Sequence, residues 1–445
     1  MKKLIILTCV LAISSALLAQ DWPQFMGPDR NSITTQENLL TTWPDGGPEV
    51  LWEVGVGIGY GGPAIKDGKV YLLDRDDKTG DIMRCFDLNT GDELWKFAYD
   101  AAGEVMFPGS RSVPIVDDKH VYSCGPYGHT YCIDLETHQP VWTANVWTDF
   151  GGEIPEGGNP GFGGGSSGFP TWAISQCPLI YGDLLILASQ APEAGVVAYD
   201  KNSGELKWKT PSLGKAGYVS PIIVKIDGND HLVMVTASEG GRGQETKPGN
   251  VVGLDPLTGE VIWEFNNWLC RIPVPSAVDA GDNKLLITGG YELGALMLQV
   301  EKQADGTYTT KELFRTEEFG DQTKTPLFYE GYFYAEFGTN STRDGLTCMN
   351  MDGEIMWKTK RDPDFNKGSM IIANGLILAT DGAKTLYLIE PSPEAFKPIA
   401  SAELLTEPEG GGGRFGTQNW APLALSNGKL LIRDQSQMLC VKVAE

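Results

Sequence analysis

Four cations and three aromatic residues are placed where they could do chemistry together. Arg111, Arg271, Lys324 and Lys367, with Tyr60, Trp172 and Tyr218, each stand shortly before a brief apolar stretch that follows a small residue or proline. Asn419 and Arg414 belong to a further segment of the same kind. Cations attract carboxylates and phosphates, and aromatic faces accept planar rings, so a ring of such residues suits an anionic or aromatic ligand. The competing reading is that they are ordinary solvated loop residues balancing nearby carboxylates. Nucleophilic and metal chemistry find less support. His120, His129, His138 and His231 have no zinc-ligand spacing, and no Cys-x-x-Cys occurs. No Ser or Cys sits in a recognisable elbow paired with a histidine. The run Asp74–Asp81 resembles a calcium loop but lacks the terminal bidentate Glu, so it reads as a polar hairpin. No catalytic or metal-ligating residue is assigned.

The elements that must position these residues are written in a repeat. The segment 85–95 (CFDLNTGDELW) returns at 198–208 (AYDKNSGELKW) and 253–263 (GLDPLTGEVIW). Weaker copies are 132–142 (CIDLETHQPVW) and the shortened 348–357 (CMNMDGEIMW). Each copy reads as a strand, a turn carrying Asp and Gly, and a strand ending in Trp. A small residue or proline followed by an apolar strand precedes each, at Pro63, Pro114, Pro178, Pro221, Pro275, Pro326, Met370 and Pro422. Eight units about 50 residues apart match the length of a four-stranded propeller blade. The expected fold is all-β: an eight-bladed β-propeller of four-stranded antiparallel blades.

The count also says how the ring closes. The unit beginning at Pro422 reaches Leu439–Val443 and runs out of chain without a Trp strand. Residues 49–54 (EVLWEV) form a Trp strand with no turn before it. That strand is expected to complete the last blade, which removes exposed sheet edges. The organisation is then a lead-in over 20–48 and one propeller domain over 49–445. Trp52, Trp95, Trp142, Trp208, Trp263 and Trp357 read as inter-blade packing, each indole N–H finding a backbone acceptor. The fifth unit offers Leu313-Phe314 and the seventh only Pro398-Ile399 in that place. The cations and aromatics above then fall on the loops entering the innermost strands, at the mouth of the central channel. Glycine-rich stretches at 151–168 and 409–416 fall on two of those loops.

Residues 1–19 read as a cleaved signal peptide: Lys2-Lys3, an apolar run over Leu4–Leu18, and a small residue, Ala19, at the cut. Cys9 lacks a lipidation context, so a soluble periplasmic or extracellular protein without a lipid anchor or transmembrane segment is expected. Seven of the eight cysteines lie beyond that segment. Cys85, Cys132, Cys348 and Cys440 share the small-residue slot of Ala198 and Gly253, so they read as free and buried. Cys124, Cys177 and Cys270 are unassigned. The net charge of −23 argues against nucleic acid and against charge-driven binding to an anionic membrane. Asn340-Ser341-Thr342 fits a glycosylation acceptor, which matters only in a eukaryotic secretory host.

The unit Asp-x-x-Thr/Ser-Gly-Glu-x-x-Trp resembles the repeat of the pyrroloquinoline quinone (PQQ) propeller superfamily, over nearly all of the chain beyond residue 20. The segment Asp21–Arg30 also resembles the start of many exported bacterial members. One branch of the superfamily oxidises alcohols or sugars with PQQ and calcium. The other, similar to the outer-membrane-assembly lipoprotein BamB, is non-catalytic. The alcohol-oxidising branch carries adjacent cysteines, which this chain lacks, and its calcium ligands and catalytic Asp match no position here. The resemblance therefore implies a monomeric envelope scaffold with no cofactor, binding a protein partner or a small anionic ligand. The alternative is a PQQ- and calcium-dependent dehydrogenase.

Overall fold

The repeated turn folds as its residue types dictate. Oδ1 of Asp87 accepts hydrogen bonds from the backbone N–H groups of Asn89 and Thr90, at 2.7 and 3.0 Å. Asp134, Asp200 and Asp255 hold the residues two and three further on in the same way. Such side-chain-closed turns reverse the chain locally. The glycine that follows has positive φ, +76° at Gly91, +74° at Gly204 and +75° at Gly259, a region most side chains avoid. Where the repeat has lost its glycine, His138 takes that conformation instead. Its ring stacks on Trp95 of the preceding blade, with centroids 4.7 Å apart.

The computed structural model describes residues 20–155, 168–240, 245–338, 343–407 and 418–445. The signal-peptide reading, Arg414, most of both glycine-rich stretches and the Asn340 acceptor lie outside these. The strands form eight antiparallel blades. Blade 1 is Ala64–Lys66, Lys69–Asp76, Gly80–Asp87 and Glu93–Asp100. The inner strands of the other blades likewise begin at or just after the landmark positions, as at Ile115, Leu179, Ile222 and Leu327. Every outer hairpin carries a β-bulge beside the Trp position. The ring closes where expected: Val50–Gly55 pairs antiparallel with Gln437–Lys442, setting Trp52 opposite Cys440. Among the described residues the only helix is a 3-10 turn at Thr148–Phe150, and no helix is long and apolar enough to cross a membrane.

Packing explains the small-residue slot. Cys85, Cys132, Ala198, Gly253, Cys348 and Cys440 lie directly across from Trp95, Trp142, Trp208, Trp263, Trp357 and Trp52. The indole folds over its partner, so closely that a Cβ on Gly253 would fall 2.1 Å from Trp263. Only a small side chain fits. All seven cysteines beyond residue 20 are free and buried, and burial pushes the Cys85 thiol up to about 12. The Asp74–Asp81 segment is a hairpin, locked by the Arg75 guanidinium on Asp77 and Asp81 at 2.7 and 2.6 Å.

One sheet has a fifth strand that the repeat does not predict. Ile33–Thr34, from the lead-in, pairs in parallel with Ile372–Ala373 on the inner strand of blade 7.

Candidate ligand-binding site

The lead-in decides the shape of the channel. Trp22 exchanges backbone hydrogen bonds with Ile65 of blade 1, at 3.0 and 2.8 Å, and Pro23 accepts from Val116 of blade 2. The Arg30 guanidinium then reaches the carbonyls of Pro178 and Cys177 at blade 3, at 2.8 and 3.4 Å. After the pairing with blade 7, Leu40 donates to Val443 of blade 8. A segment held by five blades closes one end of the channel. Trp22 is 1 % exposed, and Phe25 faces the open end as a floor.

Above that floor is a cavity of about 590 Å3, a volume ordinary for small-molecule sites. Tyr60, Arg111, Trp172, Tyr218, Lys324 and Lys367 all line it, six of the residues singled out from sequence. Tyr60 is held by its backbone N–H on Ser110 and by its hydroxyl, which donates to Gln418 Oε1 at 2.5 Å. Its ring, Phe107 and Trp420 form a cluster with centroids 5.5 to 6.2 Å apart. Trp172 and Tyr218 form a second pair in the wall, with centroids 5.5 Å apart. Burial pushes both tyrosine hydroxyls up to about 12, so they stay protonated.

The three cations play different parts. Arg111 donates to the carbonyl of Trp172 at 2.6 Å and to those of Met106 and Phe107, so it fastens two mouth loops together. Burial lowers it to about 10, which still leaves it charged at neutral pH. Lys367 lies over the Trp420 ring, 4.8 Å from its centroid, a cation–π geometry. Lys324 is lowered by burial to about 8.

Two residues expected at the mouth do not line the cavity. Arg271 follows the buried Cys270 and points to solvent. Asn419 is buried, its amide spent on the carbonyls of Ala383 and Thr406. Sequence reasoning missed Phe25, Phe107, Tyr291 and Trp420, which also line the wall. Trp420 adjoins Asn419 and could have been found by its place in the same loop. Arg433, also missed, anchors the Tyr60 loop through the carbonyls of Gly57 and Gly61.

Beside the cup lies a second cavity of about 20 Å3, lined by Lys324 with Asp321 and Glu336. Asp321 is 0 % and Glu336 1 % exposed. Asp321 Oδ1 accepts from the N–H groups of Thr323 and Lys324, both at 2.9 Å, and Glu336 Oε2 from Gly368 at 2.5 Å. Their other oxygens, Oδ2 and Oε1, have no partner among the described residues. Burial pushes the Asp321 carboxyl up to about 6; burial, then the Asp321 charge, drives Glu336 well above the usual range.

Among the described residues, the wall of the large cavity suits a planar organic anion: three cations, several aromatic rings, and no Asp or Glu. It does not suit a calcium ion, which needs carboxylate and carbonyl oxygens around it. Among the described residues no group of three or more His, Cys, Asp or Glu could hold a metal.

Residues 78–267 match a family model described as outer membrane protein assembly factor BamB. Over 229 residues the chain is 26 % identical to the quinoprotein ethanol dehydrogenase of Pseudomonas aeruginosa, covering 47 % of this chain and 34 % of that protein. The chain thus spans about a third of the length of the curated relative it matches. Among solved structures, BamB from Moraxella catarrhalis superposes with a TM-score of 0.53 at 14 % identity, covering 88 % of this chain and 96 % of that one. A europium-containing methanol dehydrogenase gives 0.62 at 11 % identity, covering 93 % and 89 %. At such identities these likenesses speak for the fold.

Proposed function

We propose that this chain, an eight-bladed propeller of PQQ-like repeats, is an exported, non-catalytic binding scaffold of the cell envelope. Its channel mouth takes up a small planar anion. The observation that carries the reading is the composition of the cup: Arg111, Lys324 and Lys367 among aromatic rings, with no carboxylate among the described residues of the wall. In a chain with so acidic a net charge, three cations in one cavity are a local exception that would concentrate anions. The closed floor gives the ligand one way in. A protein partner could dock on the same mouth, presenting an acidic or aromatic side chain to the cup.

The second reading is a PQQ-dependent dehydrogenase, favoured by the likeness to quinoprotein ethanol dehydrogenase. PQQ is itself a planar polycarboxylate, and Lys324, Lys367 and the Trp172 and Trp420 rings could hold it. When bound it would supply the redox chemistry. The metal such enzymes use finds no donor set among the described residues of the wall, and fold alone does not carry an activity.

Intrinsic tryptophan fluorescence tests the scaffold reading, because Trp172 and Trp420 are in the wall. Aromatic dicarboxylates should quench it saturably, and Lys367→Met should weaken the binding. Quenching equal in wild type and a Lys367→Met, Trp420→Phe double variant would dismiss the cup as the site.

A further inference from the structure

Lys324 differs from the other cations of the cup in its surroundings. Arg111 is committed to backbone carbonyls and Lys367 to a ring face. Among the described residues, the ammonium of Lys324 makes no hydrogen bond and no ion pair. It lies where the large cavity meets the small one, so it faces both a ligand and the buried carboxyls of Asp321 and Glu336.

Those carboxyls are unusual in their turn. Among the described residues, each is buried, each keeps one oxygen unpartnered, and neither forms an ion pair, Lys324 being the cation that shares their small cavity. Asp321, brought up only to about 6, is ionised at the alkaline pH where Lys324 frees its amine, whereas Glu336, buried beside that charge with one oxygen unpartnered, keeps its proton, since burying a second unpaired charge there is far costlier. The charged or titratable groups acting on Lys324 are Asp321, Glu336, the Cys177 thiol and Lys367. With its pKa brought down to about 8 by burial, an appreciable share of Lys324 is the free amine at mildly alkaline pH. A desolvated amine beside an acid that holds its proton is equipped for addition to a carbonyl.

We propose that Lys324 captures a carbonyl-bearing ligand in the cup as an imine, with the buried carboxyl of Glu336 supplying the proton that dehydration needs. The inference rests on reading the cup as a site for planar anions and narrows the class to aromatic aldehydes and keto acids. The amine lone pair adds to the carbonyl carbon, and the C=O electron pair moves to oxygen, which takes a proton from the new ammonium centre. The carbinolamine then loses its hydroxyl as water, protonated from Glu336 through the small cavity, which has room for one water. One water is released and nothing is oxidised or reduced. The cationic iminium is left facing the carboxylate that gave up its proton. Lys367 and the Trp420 ring beneath it hold the ligand's own carboxylate and ring.

The test uses the whole protein at pH 8 with 4-formylbenzoate and sodium cyanoborohydride, whose hydride reduces an imine to a stable secondary amine. Peptides are then mapped by mass spectrometry. Lys324 should be labelled at least tenfold faster than the exposed Lys96 and Lys247, and Glu336→Gln should slow that labelling. Lys324→Arg should abolish the label, and terephthalate, which has no carbonyl to react, should bind the wild-type protein without labelling it. Terephthalate binding without preferential labelling of Lys324 would overturn the imine and leave the cup standing. Failure of both compounds to bind would overturn both.

Discussion

A Cβ added to Gly204 would lie 2.7 Å from the indole of Trp142 on the preceding blade, and that indole donates to the carbonyl of Lys201 at 2.9 Å. The tryptophan of one blade therefore caps the Asp–Gly turn of the next. Trp52 stands in the same relation to Gly91 and Leu88 across the closure. Trp208 packs on Gly259 in the same way, though its own N–H is buried without an acceptor among the described residues.

Two substitutions separate the parts of that contact. Gly204→Ala meets both the positive φ and the indole, and should cost about 2–4 kcal/mol. Trp142→Phe keeps most of the packing and loses the hydrogen bond, at about 1 kcal/mol. Urea unfolding measures both. If Gly204→Ala on a Trp142→Ala background cost as much as on wild type, the two residues would not be coupled.

The floor of the cup should depend on Arg30. Arg30→Met removes its bonds to Pro178 and Cys177, at an expected cost of about 2–3 kcal/mol, since such bonds involve a charged donor. Limited proteolysis should then cut between residues 20 and 48 faster than in wild type. Unchanged cleavage with unchanged stability would show that the lead-in is held elsewhere.

Asp321 should make stability depend on pH. Its folded pKa, about 6, lies above the unfolded value, so its stabilising contribution is complete below about pH 4 and is lost as pH rises through 6. Asp321→Asn retains the Oδ1 acceptor for Thr323 and Lys324 but cannot ionise. Its stability relative to wild type should therefore improve between pH 4 and 7, by on the order of 2–3 kcal/mol. Parallel stability curves for the two proteins would contradict the burial argument.

Lys367→Met should weaken the binding of an aromatic carboxylate about tenfold, the worth of one partly desolvated cation. Arg271→Met should leave it unchanged, because that side chain lies outside the cup. Isothermal titration distinguishes the pair, and equal losses in both would point to a diffuse field rather than a built site.

How much of this was legible beforehand follows from how local each feature is. The Asp-x-x-Thr/Ser-Gly turn closes on itself through Asp87, Asp200 and Asp255, so its sequence reports its geometry directly. Counting the small-residue landmarks then gave the blade number, and the Trp strand without a turn gave the closure at Trp52. Six wall residues were readable because mouth loops precede inner strands, but in its loop Ile272 lines the cavity while Arg271 is exposed. The floor was not readable: Trp22 and Arg30 meet Ile65 and Pro178 through contacts that no periodicity encodes. The same holds for Asp321 and Glu336, ordinary surface residue types whose burial only the assembled blades reveal.

The most direct test of the scaffold reading is the melting temperature of the protein titrated with PQQ, with and without calcium, followed by dye reduction in the presence of alcohols. A ligand that binds only the folded state must raise the melting point. The account predicts that any rise with PQQ is the same with and without calcium, is diminished in Lys367→Met, and is accompanied by no dye reduction. Tight binding that requires calcium, together with alcohol-dependent dye reduction, would contradict it and establish a dehydrogenase.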